Sequence, residues 1–148
     1  MVLASGTYEL REVTHQDYNF IYHVKTTTLK PHIELVWGWD EAVQTKYLEE
    51  SFGLETQLII TYEDKEIGVL ELNELAQRID VVELEILPEY QRKGIGTQIL
   101  QDIIDEYTEK GTHVGIGCFK INRDAKRLYE RLGFSLIKET NTHYVLEL

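Results

Sequence analysis

The chain alternates between segments with apolar residues at every second position and segments with the three-to-four-residue spacing of a helix. The two-residue period predicts strands over residues 7–13, 57–62, 66–72, 78–87, 113–119, 134–137 and 143–148. The helical period predicts a first helix that Asp17 caps and Pro31 interrupts, and a second helix that Asp40 caps. A third helix is predicted over residues 94–110, and a fourth from its cap Asn122 to Leu132.

These elements follow the order β-α-α-β-β-β-α-β-α-β-β along the chain. No internal repeat, low-complexity tract or linker divides residues 1–148, so a single domain is predicted. Helices interleaved with a run of strands predict an α+β fold (α/β mixed), in which helices cover both faces of a mixed central sheet.

Charge narrows the range of partners. The 148 residues include 15 Lys or Arg and 26 Asp or Glu, which gives a formal net charge of −11. Such a surface repels the phosphates of nucleic acids and anionic membranes, so neither partner is expected, whereas a cationic substrate is attracted. Cys118 is the single cysteine and the five histidines lack metal-ligand spacing, so neither a disulfide nor a metal site is expected. The opening residues do not resemble a signal peptide, which predicts a cytoplasmic protein.

The most informative segment runs from residue 84 to residue 97. A predicted strand leads into Pro88, and Gly94 and Gly96 then open the long third helix. A helix N-terminus presents unpaired N–H groups, glycines let a bulky ligand come close, and Arg92 and Lys93 add positive charge. The combination favours a pyrophosphate site, although a plain strand-to-helix turn has the same pattern. The spacing fits neither the Walker loop nor the Gly-x-Gly-x-x-Gly dinucleotide motif.

A second sequence pattern, over residues 122–134, combines with this segment to match a known family. Together the two segments resemble the GNAT superfamily of acyl-CoA-dependent N-acetyltransferases, whose element order also matches the predicted one. The family's Gln/Arg-x-x-Gly-x-Gly/Ala loop matches Gln91, Gly94 and Gly96. Its later Asn-x-x-Ala-x-x-Leu-Tyr-x-x-x-Gly-Phe pattern matches Asn122, Ala125, Leu128, Tyr129, Gly133 and Phe134. The resemblance implies a single GNAT-like domain with a mostly antiparallel sheet.

The resemblance also implies that acetyl-CoA is the co-substrate. The pyrophosphate is then expected on the loop of residues 91–97, and the pantetheine arm beside the strand of residues 84–86, whose N–H groups would face the thioester carbonyl. Asn122 is expected to bond the pantetheine arm, to cap its helix, or both. The implied cofactor-binding residues are Leu84, Glu85, Ile86, Gln91, Arg92, Lys93, Gly94, Ile95, Gly96, Thr97, Asn122 and Tyr129.

Catalytic groups are implied with less precision. Tyr129 matches the family's general acid, which would protonate the departing thiolate, although a core tyrosine would show the same pattern. An acceptor amine must lose protons, and strict alternation places Glu83 and Glu85 on one face of their strand as candidate bases. Asp80 would share the other face with Leu84, and it matches a family position for the base. Solvated or paired glutamates are the alternative interpretation.

The acceptor side of the expected site lies between the first two helices. Trp37, Trp39, Asp40 and Glu41 would suit a cationic amine through aromatic faces and carboxylates, or else form a hydrophobic plug and a helix cap. The predicted function is transfer of an acetyl group from acetyl-CoA to a primary amine of a small molecule, by direct attack in a ternary complex. The alternatives are a non-catalytic acyl-CoA-binding regulatory protein and an acetyltransferase for a protein N-terminus or lysine; a homodimer is left open.

Overall fold

The computed structural model describes residues 7–52 and 56–148, which form seven strands and four α-helices. The strands are β1 (Tyr8–Glu12), β2 (Gln57–Tyr62), β3 (Lys65–Glu74), β4 (Arg78–Ile86), β5 (His113–Phe119), β6 (Ser135–Glu139) and β7 (His143–Glu147). The helices are α1 (Tyr18–Val36), α2 (Glu41–Ser51), α3 (Ile95–Glu109) and α4 (Arg123–Arg131). One sheet joins the strands in the order β1-β2-β3-β4-β5-β7-β6, and only β4 and β5 run parallel within it. The predicted element order and the mixed, mostly antiparallel sheet are confirmed.

Helices cover both faces of the sheet, as predicted. On one face α3 and α4 bury a cluster that includes Ile99, Ile103 and Ile116. On the other face α1 and α2 bury a smaller cluster around Ile21, Val24 and Leu48. The sheet therefore lies between two hydrophobic clusters, and Tyr90, which follows β4, packs against both of them.

Helix α1 does not end at Pro31, so the prediction that Pro31 interrupts it was wrong. The helix continues to Val36 with Pro31 inside it. A proline removes one intrahelical hydrogen bond, but tertiary packing holds the second half in place: His32 stacks on Phe119 at 5.7 Å between ring centroids. In the described ranges, no helix has both the length and the apolar character needed to cross a membrane.

Asp17 does not cap α1, which corrects a second prediction. Asp17 stands at the N-cap position of α1, but its side chain makes no hydrogen bond to the N–H groups of that helix. It belongs to a short 3₁₀ turn, His15–Asp17, that Thr14 caps: the Thr14 hydroxyl accepts from the Gln16 N–H, and the Thr14 N–H donates to Asp17 at 2.7 Å. Both carboxylate oxygens of Asp17 accept from the Arg11 guanidinium at 2.8 Å. The side chain is buried in this ion pair, so it ties β1 to the start of α1.

A bulge in β4 decides which residues face each layer. The register with β3 shifts between Glu71 and Leu72, so Val82 is an extra residue on β4 and is half exposed. Ile79 and Val81 before the bulge therefore pack into the same core as the residues after it. The added residue reverses the alternation of β4, so Asp80 lies on the α1 face of the sheet. Strict alternation had placed Asp80 on the face of Leu84, and that prediction was wrong.

Candidate active site

The sheet opens between β4 and β5, beside the bulge. The two strands pair from Arg78 with His113 to Val81 with Ile116, and then diverge. The Leu87 N–H donates to the Ile67 carbonyl, so the backbone groups of Leu87 point towards β3. Successive residues of a strand point to opposite edges, so the backbone groups of Leu84 and Ile86 point towards the opening. Their N–H groups are unused by the sheet there and can serve an extended ligand.

The loop from β4 to α3 has the geometry expected of an anion site. Nε2 of Gln91 donates to the Ile86 carbonyl at 2.7 Å, so this predicted ligand residue ties the loop to the end of β4. Gly94 has φ 84° and Arg92 has φ 62°, which turns the chain sharply into the helix. No side chain caps α3, so its first N–H groups remain available for a ligand. Ile95 is buried and can contribute only its backbone.

The remaining loop residues frame the same helix start. Lys93 Nζ lies 5.8 Å from the centre of the Tyr90 ring, which directs its charge along the loop. Thr97 is half-buried in the first turn of α3. A Cβ on Gly96 would meet Cδ1 of Ile86 at 3.4 Å, an ordinary contact, so Gly96 lies directly under the end of β4. These positions fit the pyrophosphate of a CoA-type ligand.

Basic residues converge on α4. An open cavity of about 720 Å³ is lined by Lys120, Ile121, Arg123, Lys126, Arg127, Glu130 and Tyr144. Arg127, and more weakly Arg92 from the β4–α3 loop, lower the pKa of Asp124, so the loop and α4 approach each other. Asn122 caps α4 by accepting from the Ala125 N–H at 3.2 Å. Its amide NH₂ makes no hydrogen bond to the described residues and so can donate to a ligand.

A buried polar cluster covers the α1 side of β2, β3 and β4. Gln57, Glu71 and Glu83 are register partners across the three strands, and Nε2 of Gln57 donates to Oε1 of Glu71 at 3.2 Å. Lys25 reaches the row from α1: its Nζ lies 2.5 Å from Oε2 of Glu83, and 12% of its side chain is exposed. Glu85 completes the cluster on β4.

The cluster holds groups whose proton affinities are shifted. Glu85 is 6% exposed, and neither of its carboxylate oxygens accepts a hydrogen bond from the described residues. Burial, and next the charge of Glu83, raise the pKa of Glu85 well above its ordinary value. Burial also raises the pKa of Glu71. Burial disfavours the charge of Lys25, but Glu83 more than compensates, so the pKa of Lys25 is raised and it stays an ammonium. A carboxyl group whose pKa is raised by burial keeps its proton to higher pH than an exposed one, which makes Glu85 a candidate for proton transfer.

Tyr129 lies on the sheet-facing side of α4, packed against the α3–α4 core. Burial raises the pKa of Tyr129, and the charges of Cys118 and Glu85 raise it further. The phenol is therefore a neutral donor over the whole working range of pH. The charge of Glu85 contributes to this shift although the two residues belong to opposite faces of the sheet, Tyr129 to the α3–α4 face and Glu85 to the α1 face.

Asp80 lies away from the opening, in the stretch where β4 and β5 are still paired. Nε of Arg78 binds its carboxylate at 2.6 Å, and Arg78 also pairs with Glu147 at 3.2 Å. A Cβ on Gly115 would meet Oδ1 of Asp80 at 2.4 Å, so the ion pair is covered by β5. Among the three candidate bases, Glu83 and Glu85 are the two that border the opening.

The four predicted acceptor residues divide into two groups. Trp39 donates to Glu41 at 2.7 Å, and Glu41 also accepts from the Tyr22 hydroxyl. Asp40 caps α2 by accepting from the Val43 N–H at 3.1 Å. These three residues therefore fix the start of α2. Trp37 is the exception, since its ring is 62% exposed.

Trp37 belongs to an aromatic surface that no sequence pattern indicated. Its ring centroid lies 5.7 Å from Phe119 at the end of β5 and 6.2 Å from His143 at the start of β7. Phe119 and His143 are 4.4 Å apart, and His32 stacks on the other side of Phe119. Burial lowers the pKa of His143, so the ring is neutral at pH 7. This surface can accept a cation through its aromatic faces.

Two parts of the site were missed in the sequence: the Lys25–Glu71 side of the polar cluster and the aromatic partners of Trp37. Lys25 had a visible signal, because it follows Ile21 by four residues and so lies on the apolar face of its helix. A lysine on such a face indicates a buried partner. Phe119 and His143 had no comparable signal, since their contacts join distant segments.

Solved structures with the same architecture include several N-acetyltransferases. PaiA N-acetyltransferase from Thermoplasma acidophilum, in complex with coenzyme A, has a TM-score of 0.75 and 18% identity over 95% of this chain and 98% of its own. Ribosomal-protein-S18-alanine N-acetyltransferase from Escherichia coli has a TM-score of 0.70 and 20% identity, covering 96% and 93%. Arabidopsis thaliana Naa50, in complex with the bisubstrate analogue CoA-Ac-MVNAL, has a TM-score of 0.65 and 17% identity, covering 95% and 97%.

Identities this low establish the fold alone. No curated protein sequence matches the chain. The acetyltransferase (GNAT) family, in contrast, matches residues 12–134, which include the loop, the β4–β5 opening and Tyr129. The resemblance read from the two motifs is thereby confirmed: the chain belongs to the GNAT family of acetyltransferases, enzymes that use acetyl-CoA as their co-substrate.

Proposed function

We propose that this protein transfers the acetyl group of acetyl-CoA to the primary amine of a small cationic molecule, by direct attack in a ternary complex. The observation that carries the proposal is the pairing of Glu83 and Glu85 on one side of the β4–β5 opening with Tyr129 on the other. The proposed base and the proposed acid would thereby lie on opposite faces of the sheet, beside the opening where β4 leaves β5.

The cofactor side uses the loop and α4. The first N–H groups of α3, with Arg92 and Lys93, would hold the pyrophosphate, and Asn122 would donate to the pantetheine arm. The N–H groups of Leu84 and Ile86 would polarise the thioester carbonyl and stabilise the oxyanion that forms during attack. The basic cavity on α4 would take the remaining phosphate of the CoA nucleotide.

The acceptor side uses the α1 layer. The glutamate residues at positions 83 and 85 would take the proton that an ammonium group must lose before it attacks, and Tyr129 would protonate the departing thiolate. The exposed Trp37, with Phe119 and His143, favours an acceptor that carries, besides the reacting amine, a second group able to bind aromatic rings, such as a second cation. The overall charge of −11 attracts the same class of molecule.

The test is release of free CoA, measured with a thiol reagent, from acetyl-CoA and a panel of amines. The panel contains diamines and polyamines, aminoglycoside-like amines, neutral monoamines, and peptides with free N-termini or lysines. Turnover of the cationic small molecules ahead of the neutral amines and peptides is the expected result. Faster turnover of a peptide would replace the small-molecule acceptor by a protein one, as in the neighbours whose names include a protein or peptide substrate.

A thermal-shift measurement with acetyl-CoA separates binding from catalysis. Ligand binding to the folded state at 100 times its Kd stabilises it by about 2.7 kcal/mol. Stabilisation by acetyl-CoA without turnover of any amine would favour the non-catalytic CoA-binding alternative. The absence of stabilisation would contradict the cofactor assignment itself.

A further inference from the structure

Lys25 is the cationic member of the polar cluster, and the proposed reaction gives it no role. It projects from α1 onto the sheet, and its side chain is almost as buried as the hydrophobic residues around it. Its partner is Glu83, at 2.5 Å, on the strand that borders the opening. A lysine is costly to bury unless a charge compensates it, so this contact sets the local balance of charge.

The balance is uneven. Three carboxylates, Glu71, Glu83 and Glu85, face one ammonium group, so full ionisation would leave two uncompensated negative charges in a buried layer. Glu85 is the least exposed of the three, neither of its oxygens accepts from a donor among the described residues, and the group within hydrogen-bond reach is the carboxyl of Glu83. One proton shared by Glu83 and Glu85, here called the glutamate pair, reduces that excess.

We propose that Lys25 is a positioning residue for proton transfer: its ammonium group fixes the Glu83 carboxylate and supplies the positive charge that allows the glutamate pair to release its shared proton. The inference rests on the proposed function, because the released form of the pair is what would accept a proton from the substrate. It also explains why a lysine occupies a sheet-facing position of α1.

The proposed reaction conserves protons and bonds over one turnover. The ionised pair takes one proton from the acceptor ammonium group, which leaves a neutral amine and a protonated pair. The amine nitrogen forms a bond to the acetyl carbon while the carbon–sulfur bond breaks, and the sulfur takes the Tyr129 proton. The tyrosinate recovers a proton from the nitrogen, which has become an amide, and the pair returns its own proton to solvent.

Four groups face the pair from the surrounding elements: Lys25 from α1, the uncharged Gln57 from β2, Glu71 from β3 and the neutral Tyr129 from α4. Of the two charged ones, Lys25 favours the ionised pair and Glu71 opposes it. Loss of the ammonium must therefore make the pair keep its proton to higher pH. Loss of the Glu71 charge must do the opposite.

The experiment measures the pair directly in the full chain without any ligand. Glutamate is labelled with ¹³C at the carboxyl carbon, the signals of the pair are assigned by E83Q and E85Q, and their chemical shifts are followed against pH. An opposite charge at this range moves a carboxyl titration by about one unit or more. K25M should raise the upper midpoint by about that amount, E71Q should lower it, and K25R should leave it near that of the wild type.

Lys46 offers a matched control. It is an exposed lysine on α2 whose Nζ lies 3.9 Å from a surface glutamate, and K46M should leave both midpoints unchanged. If K25M does not fold, as judged by circular dichroism, the downward shift in E71Q and the unchanged value in K25R carry the test. Identical midpoints in the wild type and E71Q, or in the wild type and a folded K25M, would overturn the role of Lys25.

The acidic limb of the kcat/KM profile should move with the carboxyl midpoints. Movement of the midpoints without movement of this limb would show that the pair is not the proton acceptor, and the proposal would be wrong although the enzyme is active. Failure of the proposed function looks different, since the wild type itself would then turn over no amine at any pH.

Discussion

Replacement of Tyr129 by phenylalanine is the most direct test of the proposed acid, because it removes one oxygen and leaves the ring in its packing site. The phenol is held neutral by burial, which raises its pKa above the ordinary value. Without the hydroxyl, the departing thiolate would have to take its proton from water. We expect kcat to fall while the affinity for acetyl-CoA stays the same.

The size of the loss follows from the mismatch between donor and acceptor. A free thiol has a pKa of about 8.5 and an ordinary tyrosine about 10, so transfer to a fully formed thiolate is uphill by at least ~2 kcal/mol. General acids contribute about 10²- to 10⁴-fold, and this mismatch places Tyr129 at the lower end of that range. A loss of about 10²-fold in kcat, or about 2.7 kcal/mol of transition-state stabilisation, is expected.

The assay compares kcat, the Kd of acetyl-CoA and the Tm of wild type and Tyr129→Phe. The Tyr129 hydroxyl makes no hydrogen bond within the described part of the chain, so the Tm should move by no more than about 2–4 °C, the equivalent of ~1 kcal/mol. Tyr107→Phe is the matched control, since that ring packs against the same core from α3 with Lys110 Nζ 4.9 Å from its centre. Full turnover in Tyr129→Phe, or an equal loss in Tyr107→Phe, would refute the assignment.

Three further predictions concern the strands and charges around the site. Gly68→Ala should lower the free energy of unfolding by about 1–3 kcal/mol in urea denaturation, because its Cβ would lie 2.2 Å from the Glu85 carbonyl oxygen. Gly117→Ala, whose nearest contact is 3.3 Å, is the control, and an equal effect would contradict the clash. Hydrogen bonds from Arg11 lower the pKa of Asp17 to about 2, so its contribution of about 2 kcal/mol is present above pH ~4 and is lost as the pH falls towards ~2. Asp17→Asn should therefore cost stability at pH 7 but progressively less in acid, and a pH-independent cost would contradict the ion pair. Arg123→Glu should weaken CoA binding by about tenfold in calorimetry; an equal loss with dephospho-CoA would argue against a phosphate in the α4 cavity.

The order of elements could be predicted from the sequence because each segment carries its own period and its own boundary residue. Asn122 and Asp40 cap their helices as predicted. Pro31 misled the prediction, since local propensity cannot register the contact of His32 with a strand far along the chain. What governs a helix end here is packing, which the local pattern does not contain.

Candidate site residues that belong to a sequence motif could be located from the sequence. The sheet face on which a strand residue lies could not, because it depends on the pairing register of the strands. The loop glycines, Asn122 and Tyr129 stand at fixed spacings, so the resemblance located them. The face of Asp80 was predicted wrongly because one bulged residue, Val82, reverses the alternation of β4. The consecutive apolar residues Val81 and Val82 are the only trace of this bulge in the sequence.

That bulge also separates the two kinds of charge on which the proposed reaction depends. The basic residues of the loop and α4 lie on the α3–α4 side, and the carboxylate cluster lies on the α1 side. If β4 alternated regularly through Val82, Glu83 and Glu85 would face the α3–α4 core, where their charges would oppose those of a phosphorylated ligand. The bulge prevents this. With it, the sheet keeps the two sets of charge apart along most of its area. They come within reach of each other only past Val81, where β4 leaves β5, which is where an amine and a thioester would have to meet.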